Sequence, residues 1–420
     1  MEKIVINKGV TLHIVPTEKF KNITISIKLK NKLTKETSTI RTLLSFVFSG
    51  GTKKLPNQQA LSKHLENLYG MQLSCSISSK GKAHIINLSS VCINDEYLPE
   101  KEDLLKQQLS LLHDIIFELN NDGKAIDETI FNLRKRELKQ RLASNKNDKY
   151  SYSIEELLKN MGEGQTLGIS STGYEEELDQ ITKEELYEYY QKCLKEDTID
   201  IYVIGNIKEE DLDLFKSYLS FEERNNTLDS IAYYKKQRQK VLEIEEIQDI
   251  SQAKLNIGYA IDTNFLDQDH YAFTVFNGMF GGFSHSKLFK VVREEHSLCY
   301  YISSSYDAFN SIMVVSAGID ASQNNKVQKI ISEQLELFKN GDISIEDLAI
   351  TKAMLIDGLK KSDDEAGNMI ALKYNRDIVG KKETIEEYIE RLNNVSIEDI
   401  QKVANKVNLD TTFVLKGRGE

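Results

Sequence analysis

No stretch of the 420-residue chain approaches the roughly 18 to 20 consecutive apolar residues that a membrane-spanning helix needs. The opening residues, MEKIVINKGVTLHIV, lack a basic region followed by an apolar core, so no secretory signal is expected and the chain is expected to be cytoplasmic. Excess positive charge is also missing. Lys and Arg total 54 against 65 Asp and Glu, a formal net charge of −11, which argues against general binding to nucleic acid or anionic membranes. The four cysteines (Cys75, Cys92, Cys193, Cys299) are far apart and form no C-x-x-C pair, so buried free thiols are expected. The seven histidines (His13, His64, His84, His113, His270, His285, His296) include no two spaced three to five residues apart, the spacing a helical zinc site would use. Tryptophan is absent and only three prolines occur, which leaves a Lys-, Asn- and Ile-rich chain and decides little about function.

What remains is 40 % hydrophobic and 28 % charged, the balance of a globular protein, and too long for a single ordinary core. Alternating segments at 8–15 and 23–30 predict strands. Helical spacing over Ser38–Phe48 stops at Gly50 and Gly51, and a second stripe over Asn57–Leu68 stops at Gly70. Strands are expected at 71–78, 83–92 and 198–204, with helices at 104–119, 127–142, 151–161 and 182–194. The basic residues of the 127–142 helix (Arg134, Lys135, Arg136, Lys139, Arg141) read as a solvated face, with a carboxylate-binding face as the alternative. Residues 221–240 are polar without clear period and read as a linker. After it the order of elements restarts: strands at 241–246, 253–261 and 311–320, helices at 268–279, 323–339, 344–360, 365–379, 383–392 and 396–407, and a closing strand at 411–416. The reading is α+β, with two homologous domains of mainly antiparallel sheet flanked by helices, at 1–220 and 241–420.

The most informative stretch is FNGMFGGFSHSKLFKVVREEHSLCYYISSSY, residues 276–306. A glycine cluster (Gly278, Gly281, Gly282) precedes a short helix over Lys287–Arg293 and then a Tyr/Ser strand. If the helix ends soon after Arg293, its guanidinium and the phenol of Tyr300 converge, a cationic fork and a neutral O–H suited to a carbonyl or an oxyanion. The same residues are also ordinary surface and core residues. GMFGGFS is neither a dinucleotide fingerprint nor a phosphate loop. The glycines either let a substrate backbone pass or form a turn needing positive φ.

With these motifs in place the chain resembles the M16 zinc peptidases, the insulinase and mitochondrial-processing-peptidase family, over nearly its whole length. GGFSHSKLFKVVREEHSLCYYISSSY is similar to that family's glycine loop followed by LFxxVRExxxLxYxxxSxY, and GVTLHIVP and SFVFSGGTKKLPNQQALSKHLENLYGMQLSCSIS are similar to its opening strand and zinc-helix region. Active members carry H-x-x-E-H on the first helix. The register set by Gly51 and Thr52 places those positions on Thr42, Ser45 and Phe46, and the later Glu ligand falls near Arg134, so no zinc is expected in this chain. The resemblance is strongest to the half-length branch that Gram-positive bacteria encode beside a zinc-bearing paralogue, associated with modification of elongation factor P. It implies a non-zinc subunit whose Arg293 and Tyr300 act on the carbonyl of a peptide or unfolded protein. It further implies Gly281, Gly282, His285 and Ser286 near the substrate, zinc in the partner, and a possible homodimer when the chain is isolated. A catalytically inactive peptide-binding or scaffold protein is the alternative.

Overall fold

The computed structural model describes residues 2–224, 228 and 230–418; residues 225–227 and 229 of the expected linker lie outside the described residues. Two units emerge: Met1–Ser144 with Ser170–Asp229 and Ala366–Ala371, and Asn145–Ile169 with Ser230–Glu365 and Leu372–Glu420.

In the first unit, β1 (Glu2–Asn7) and β2 (Val10–Pro16) form a hairpin that leads into β3 (Asn22–Lys32). Helices α1 (Lys35–Val47) and α2 (Gln58–Asn67) precede a second hairpin, β4 (Gln72–Lys80) and β5 (Ala83–Ile93). Next come α3 (Leu104–Phe117) and α4 (Glu128–Asn147), then α5 (Lys149–Met161), which belongs to the second unit. The short α6 (Glu175–Leu178), α7 (Lys183–Glu196), β6 (Thr198–Gly205) and α8 (Leu212–Tyr218) complete the first. Among the described residues its sheet runs β1-β2-β6-β3-β5-β4, antiparallel except for β2 beside β6. Strand β1 was not expected from the sequence; its EKIVIN is one hydrophobic edge segment beside a turn at Gly9.

After α5, the second unit continues with β7 (Leu242–Ile247), β8 (Ala253–Ile261) and α9 (His270–Asn277). Wide-turned helical segments at Gly278–Gly282 and Phe289–Glu295 lead to β9 (Cys299–Asp307) and β10 (Ile312–Ile319). Five helices follow: α10 (Asn324–Lys339), α11 (Ile345–Ser362), α12 (Ala366–Asp377), whose first six residues group with the first unit, α13 (Ile385–Asn393) and α14 (Ile397–Ala404), before β11 (Val407–Lys416). The sheet order is β7-β11-β8-β10-β9, with β7 and β11 the one parallel pair among the described residues. Replacing β2, β6, β3, β5 and β4 by β7, β11, β8, β10 and β9 converts the first order into the second, strand direction included. The duplication read from element order is therefore a duplication of topology, and α1 corresponds in the chain to α9 with the wide-turned segments.

Both faces of the second sheet are covered. Met313, Val315 and Ala317 of β10 join the cluster of α9 and α10, while their neighbours Ile312 and Val314 meet Leu157 and Met161 of α5. This two-sided burial is why β8 and β10 read as nearly continuous apolar runs. At Gly258 α5 comes close, with Met161 Sδ 2.6 Å from where a Cβ would lie. Helix starts were legible because several carry a reciprocal cap: Thr182 with Glu185, Thr384 with Glu387, and Ser396 with Asp399. Among the described residues no helix is long and apolar enough to cross a membrane.

The described part of residues 221–240 contains no helix or strand, but it is anchored. Phe221 and Arg224 are buried in the first unit. In the second, Lys235 makes a fully buried ion pair with Asp410 at 2.5 Å.

Candidate functional site

Helix α1 holds the positions where the resembled family carries zinc ligands. Its apolar residues Leu43, Leu44 and Val47 are buried in the core, which fixes the rotation of the helix and turns Thr42 and Ser45 inward. Thr42 Oγ1 lies 2.9 Å from the Ser38 carbonyl oxygen and 3.2 Å from that of Ser171, and Ser45 Oγ donates to Thr42 O at 2.7 Å. Phe46 is half-buried beneath the Arg141 guanidinium. Residues 170–174 close over this face: the Tyr174 N–H donates to Thr39 Oγ1 at 3.0 Å, and Gly173 passes so near that a Cβ would meet Thr39 Cα at 2.6 Å. Below them His84 Nε2 lies 2.9 Å from the Ser171 carbonyl. Burial, followed by the Arg41 charge, holds the His84 pKa down at about 3, so the ring is neutral and donates there.

Arg134 is buried rather than solvated, which corrects the reading of the basic α4 face at this residue. Its Nη2 donates to Ser49 O at 2.7 Å, satisfying a carbonyl at the end of α1, and Nη1 pairs with Glu137 at 2.6 Å. Lys135 donates to the Asp179 and Ile181 carbonyls, and Lys139 pairs with Asp179. These positions do not fit zinc. Two hydroxyls are committed to backbone carbonyls, one position is a phenyl ring, and the fourth is a guanidinium that repels a cation. Among the described residues no group of three or more His, Cys, Asp or Glu is arranged to hold a metal ion.

In the second unit the chain leaves α9 through Gly278–Gly282 without a break. None of Gly278, Gly281 and Gly282 has positive φ, which overturns the expectation of a left-handed turn. Their role is proximity. A Cβ on Gly281 would stand 2.7 to 2.9 Å from Ser304 Oγ, N and Cβ, so β9 itself runs against the glycine backbone. Ser304 Oγ donates to Asn277 Oδ1 at 2.8 Å and locks the two elements together. Gly282 faces Asn277 instead, its added Cβ 3.0 Å from Asn277 O.

His285 Nε2 lies 2.8 Å from Thr351 Oγ1 on α11, and its ring stacks on Phe283; burial lowers its pKa. Ser286 is buried at the start of the next helix, where its Oγ accepts from the Phe289 N–H at 3.5 Å and its carbonyl from the Lys290 N–H at 3.0 Å. Both residues thus serve bonds inside the unit.

From Phe289 the helix widens. The His296 N–H reaches Val291 O at 3.1 Å and the Leu298 N–H reaches Val292 O at 3.0 Å, five and six residues back. Ser297, at φ +51°, reverses the chain into β9. Such wide turns are rare and concentrate at functional sites. The helix therefore ends at Glu295, two residues after Arg293.

Tyr300 sits at a discontinuity in β9. Tyr301 pairs with Gly318 and Cys299 with Ile319, so Tyr300 is the extra residue of a β-bulge on the edge strand. It is 74 % exposed. Tyr301, on the regular register, turns its ring over Gly318 and packs against Tyr150. Arg293 is also exposed, with its guanidinium 4.6 Å from the Phe289 ring centroid. Its charge reaches Cys299, next to Tyr300: burial pushes that thiol up to about 11 and Arg293 opposes the rise. Among the described residues neither the Arg293 nor the Tyr300 side chain forms a hydrogen bond or ion pair with the protein. A cation held only by an aromatic ring and a phenol with no acceptor thus stand open at one end of the sheet. The i, i+4 spacing of Phe289 and Arg293 was visible in the sequence; the bulge and the partnership of Thr351 with His285 were not.

The family profile described as "Peptidase M16 inactive domain" matches residues 180–355. The chain is 37 % identical over 416 residues to "Probable inactive metalloprotease YmfF" of Bacillus subtilis (strain 168), covering 97 % of this chain and 96 % of that one. "Uncharacterized zinc protease YmxG" of the same organism is 26 % identical over 251 residues, 58 % of this chain and 59 % of the other. Among solved structures, a conserved protein from Enterococcus faecalis V583 superposes with a TM-score of 0.93 at 37 % identity, covering 100 % of this chain and 99 % of that one.

Proposed function

Because the chain belongs to the M16 peptidase family, and its α1 cannot hold the zinc ion, we propose that it is the metal-free subunit of a paired M16 peptidase. In this reading a paralogue with H-x-x-E-H supplies the zinc-activated water. Arg293 and Tyr300 supply the groups that grip the scissile carbonyl of a peptide or unfolded protein. Support comes first from the unpartnered state of these two side chains, which a purely structural Arg and Tyr would not need. A second support is that Bacillus subtilis (strain 168) carries relatives of this chain named both as an inactive metalloprotease and as a zinc protease.

The chemistry follows from the residue types. As the carbonyl carbon becomes tetrahedral, its oxygen gains negative charge. A guanidinium and a phenolic O–H brought to that oxygen stabilise the charge more than they stabilise the starting carbonyl. One well-placed donor of this kind is worth about 3 to 4 kcal/mol, or about 10²–10³ in rate. Arg293 is held by Phe289 rather than by a carboxylate, so its charge is not spent on a neighbour. The bulge aims Tyr300 away from the regular ladder.

The test is to mix the chain with an H-x-x-E-H paralogue of similar length and follow cleavage of unfolded peptides. The mixture cleaves, each subunit alone does not, and Arg293→Ala and Tyr300→Phe each lower the rate by at least about tenfold with little change in subunit association. Unchanged rates in both variants remove the oxyanion role. Tight peptide binding with no cleavage in any mixture supports the scaffold reading, for which the closed α1 face is the favouring observation.

A further inference from the structure

Helix α11 carries apolar residues around its circumference, a pattern that belongs to a helix covered on all sides. One side is covered: Leu348 and Thr351 are buried, and Thr351 meets Gly278 and His285. The other side is not. Ile345 is 73 % exposed, and Ala349 and Ala353 are exposed as well. Along this side runs a groove of about 670 Å³ with an apolar floor of Ile345, Leu348, Ala349, Ala353 and Ile356, closed at one end by Asn393 of α13. Lys352 and Lys360 form its rim. Lys352 is fixed by donating to Asn393 O at 2.8 Å, and Lys360 has no ion-pair partner among the described residues. The one acid of the rim, Asp357, is neutralised by Lys361 at 2.7 Å. Two lysines, Lys352 within reach of the Asp399 charge, thus edge an apolar trough in a chain whose formal net charge is −11.

We propose that this groove docks an amphipathic helix of a partner protein, with an apolar stripe flanked by Glu or Asp. The trough runs along α11 from Ile345 to Lys360, about 23 Å at 1.5 Å per residue, a length over which a second helix can set its ridges against the i, i+4 rows of this one. Electrostatics supplies the other half. Lys352 and Lys360 attract acidic flanks and repel basic ones. A second copy of this chain is disfavoured, because a two-fold contact through α11 would set the same cationic rim against itself. Neither Arg293 nor Tyr300 lines the groove, so this proposal stands whether or not those residues act on a carbonyl.

The probe is a fluorescein-labelled 18-residue helical peptide with Leu at i, i+3, i+4 and i+7 and Glu on both flanks; a second peptide has Lys for every Glu. Anisotropy titrations use the full chain. Saturable binding of the Glu peptide is expected, weaker at high salt, with the Lys peptide at least tenfold weaker. Ala349→Leu with Ala353→Leu fills the trough at exposed helical positions without disturbing the fold, verified by circular dichroism, and is expected to weaken binding at least tenfold. Lys360→Glu is expected to weaken it at least threefold and to flatten the salt dependence. Equal binding of the two peptides, no saturation, or undiminished binding by the filled variant overturns the proposal. So does a dimer in sedimentation velocity that the filled variant abolishes, which assigns the face to a second copy.

Discussion

Replacing Arg41 by Met tests whether α1 is held by charge or merely packed. Arg41 Nη2 donates to Asp197 Oδ2 at 2.5 Å and to the Leu29 carbonyl at 2.7 Å, and both charged side chains are 0 % exposed. Burial opposes the guanidinium charge, and the Asp197 carboxylate more than restores it, leaving the arginine pKa above its ordinary value. Met matches much of the volume but strands the carboxylate, which keeps only Asn31 Nδ2 at 2.7 Å as a side-chain donor. Breaking one side of a buried pair costs about 3 to 5 kcal/mol. For a unit near 200 residues each kcal/mol moves the melting temperature about 2 to 4 °C, so Arg41→Met is expected to melt roughly 6 to 20 °C lower. Thermal circular dichroism reads the shift, and amide exchange reads whether α1 opens first. Arg41→Met with Asp197→Asn is expected to regain at least half of the loss, since the amide leaves no charge stranded and still accepts from Asn31. A single variant melting within about 2 °C of the parent would refute the reasoning.

Three further outcomes follow from the same coordinates. Gly281→Ala forces β9 away from the helix, because the new methyl meets backbone as well as side chain of Ser304; a loss of about 1 to 3 kcal/mol in chemical denaturation is expected. Arg134→Glu removes the donor to Ser49 O and sets a carboxylate beside Glu137, so the melting point falls and equilibrium dialysis detects no zinc uptake. His84 and His270 are held near a pKa of about 3, His84 by burial and then Arg41, His270 by burial and then Lys381. Both are neutral when folded but gain a proton near 6.5 when unfolded. Stability is therefore full above about pH 6.5 and declines below it, by about 1.4 kcal/mol per histidine at pH 5.5. His270→Gln is expected to flatten that decline in urea titrations, and an unchanged slope would contradict it.

Much of this fold is written in local pattern. Helix α2 begins after Asn57, whose side chain accepts from the Ala60 N–H, and β8 occupies the same 253–261 that periodicity marks. Such features depend on neighbours along the chain and can be read from it. What escapes is decided at long range. The pattern of α5 marks a helix but not the sheet it covers, which is settled by Gly258 leaving room for Met161. Arg134 looks like one of several surface cations until the carbonyl of Ser49 is found beside it. At the candidate site, the end of the helix at Glu295, soon after Arg293, is local and matches the expected short helix. The extra residue in β9 that frees the phenol depends on pairing with β10, which no single segment encodes.

The membership of α5 in the second unit bears on how the polypeptide tolerates cutting. A break engineered at 225–229 would separate the two sequence halves but leave Leu157 and Met161 on the first fragment, stripping one face of the second sheet of its cover. Each fragment expressed by itself should be sticky and poorly behaved, whereas the two made together should reassemble. Shuffling its halves among relatives should therefore succeed only when residues 145–169 travel with the C-terminal piece.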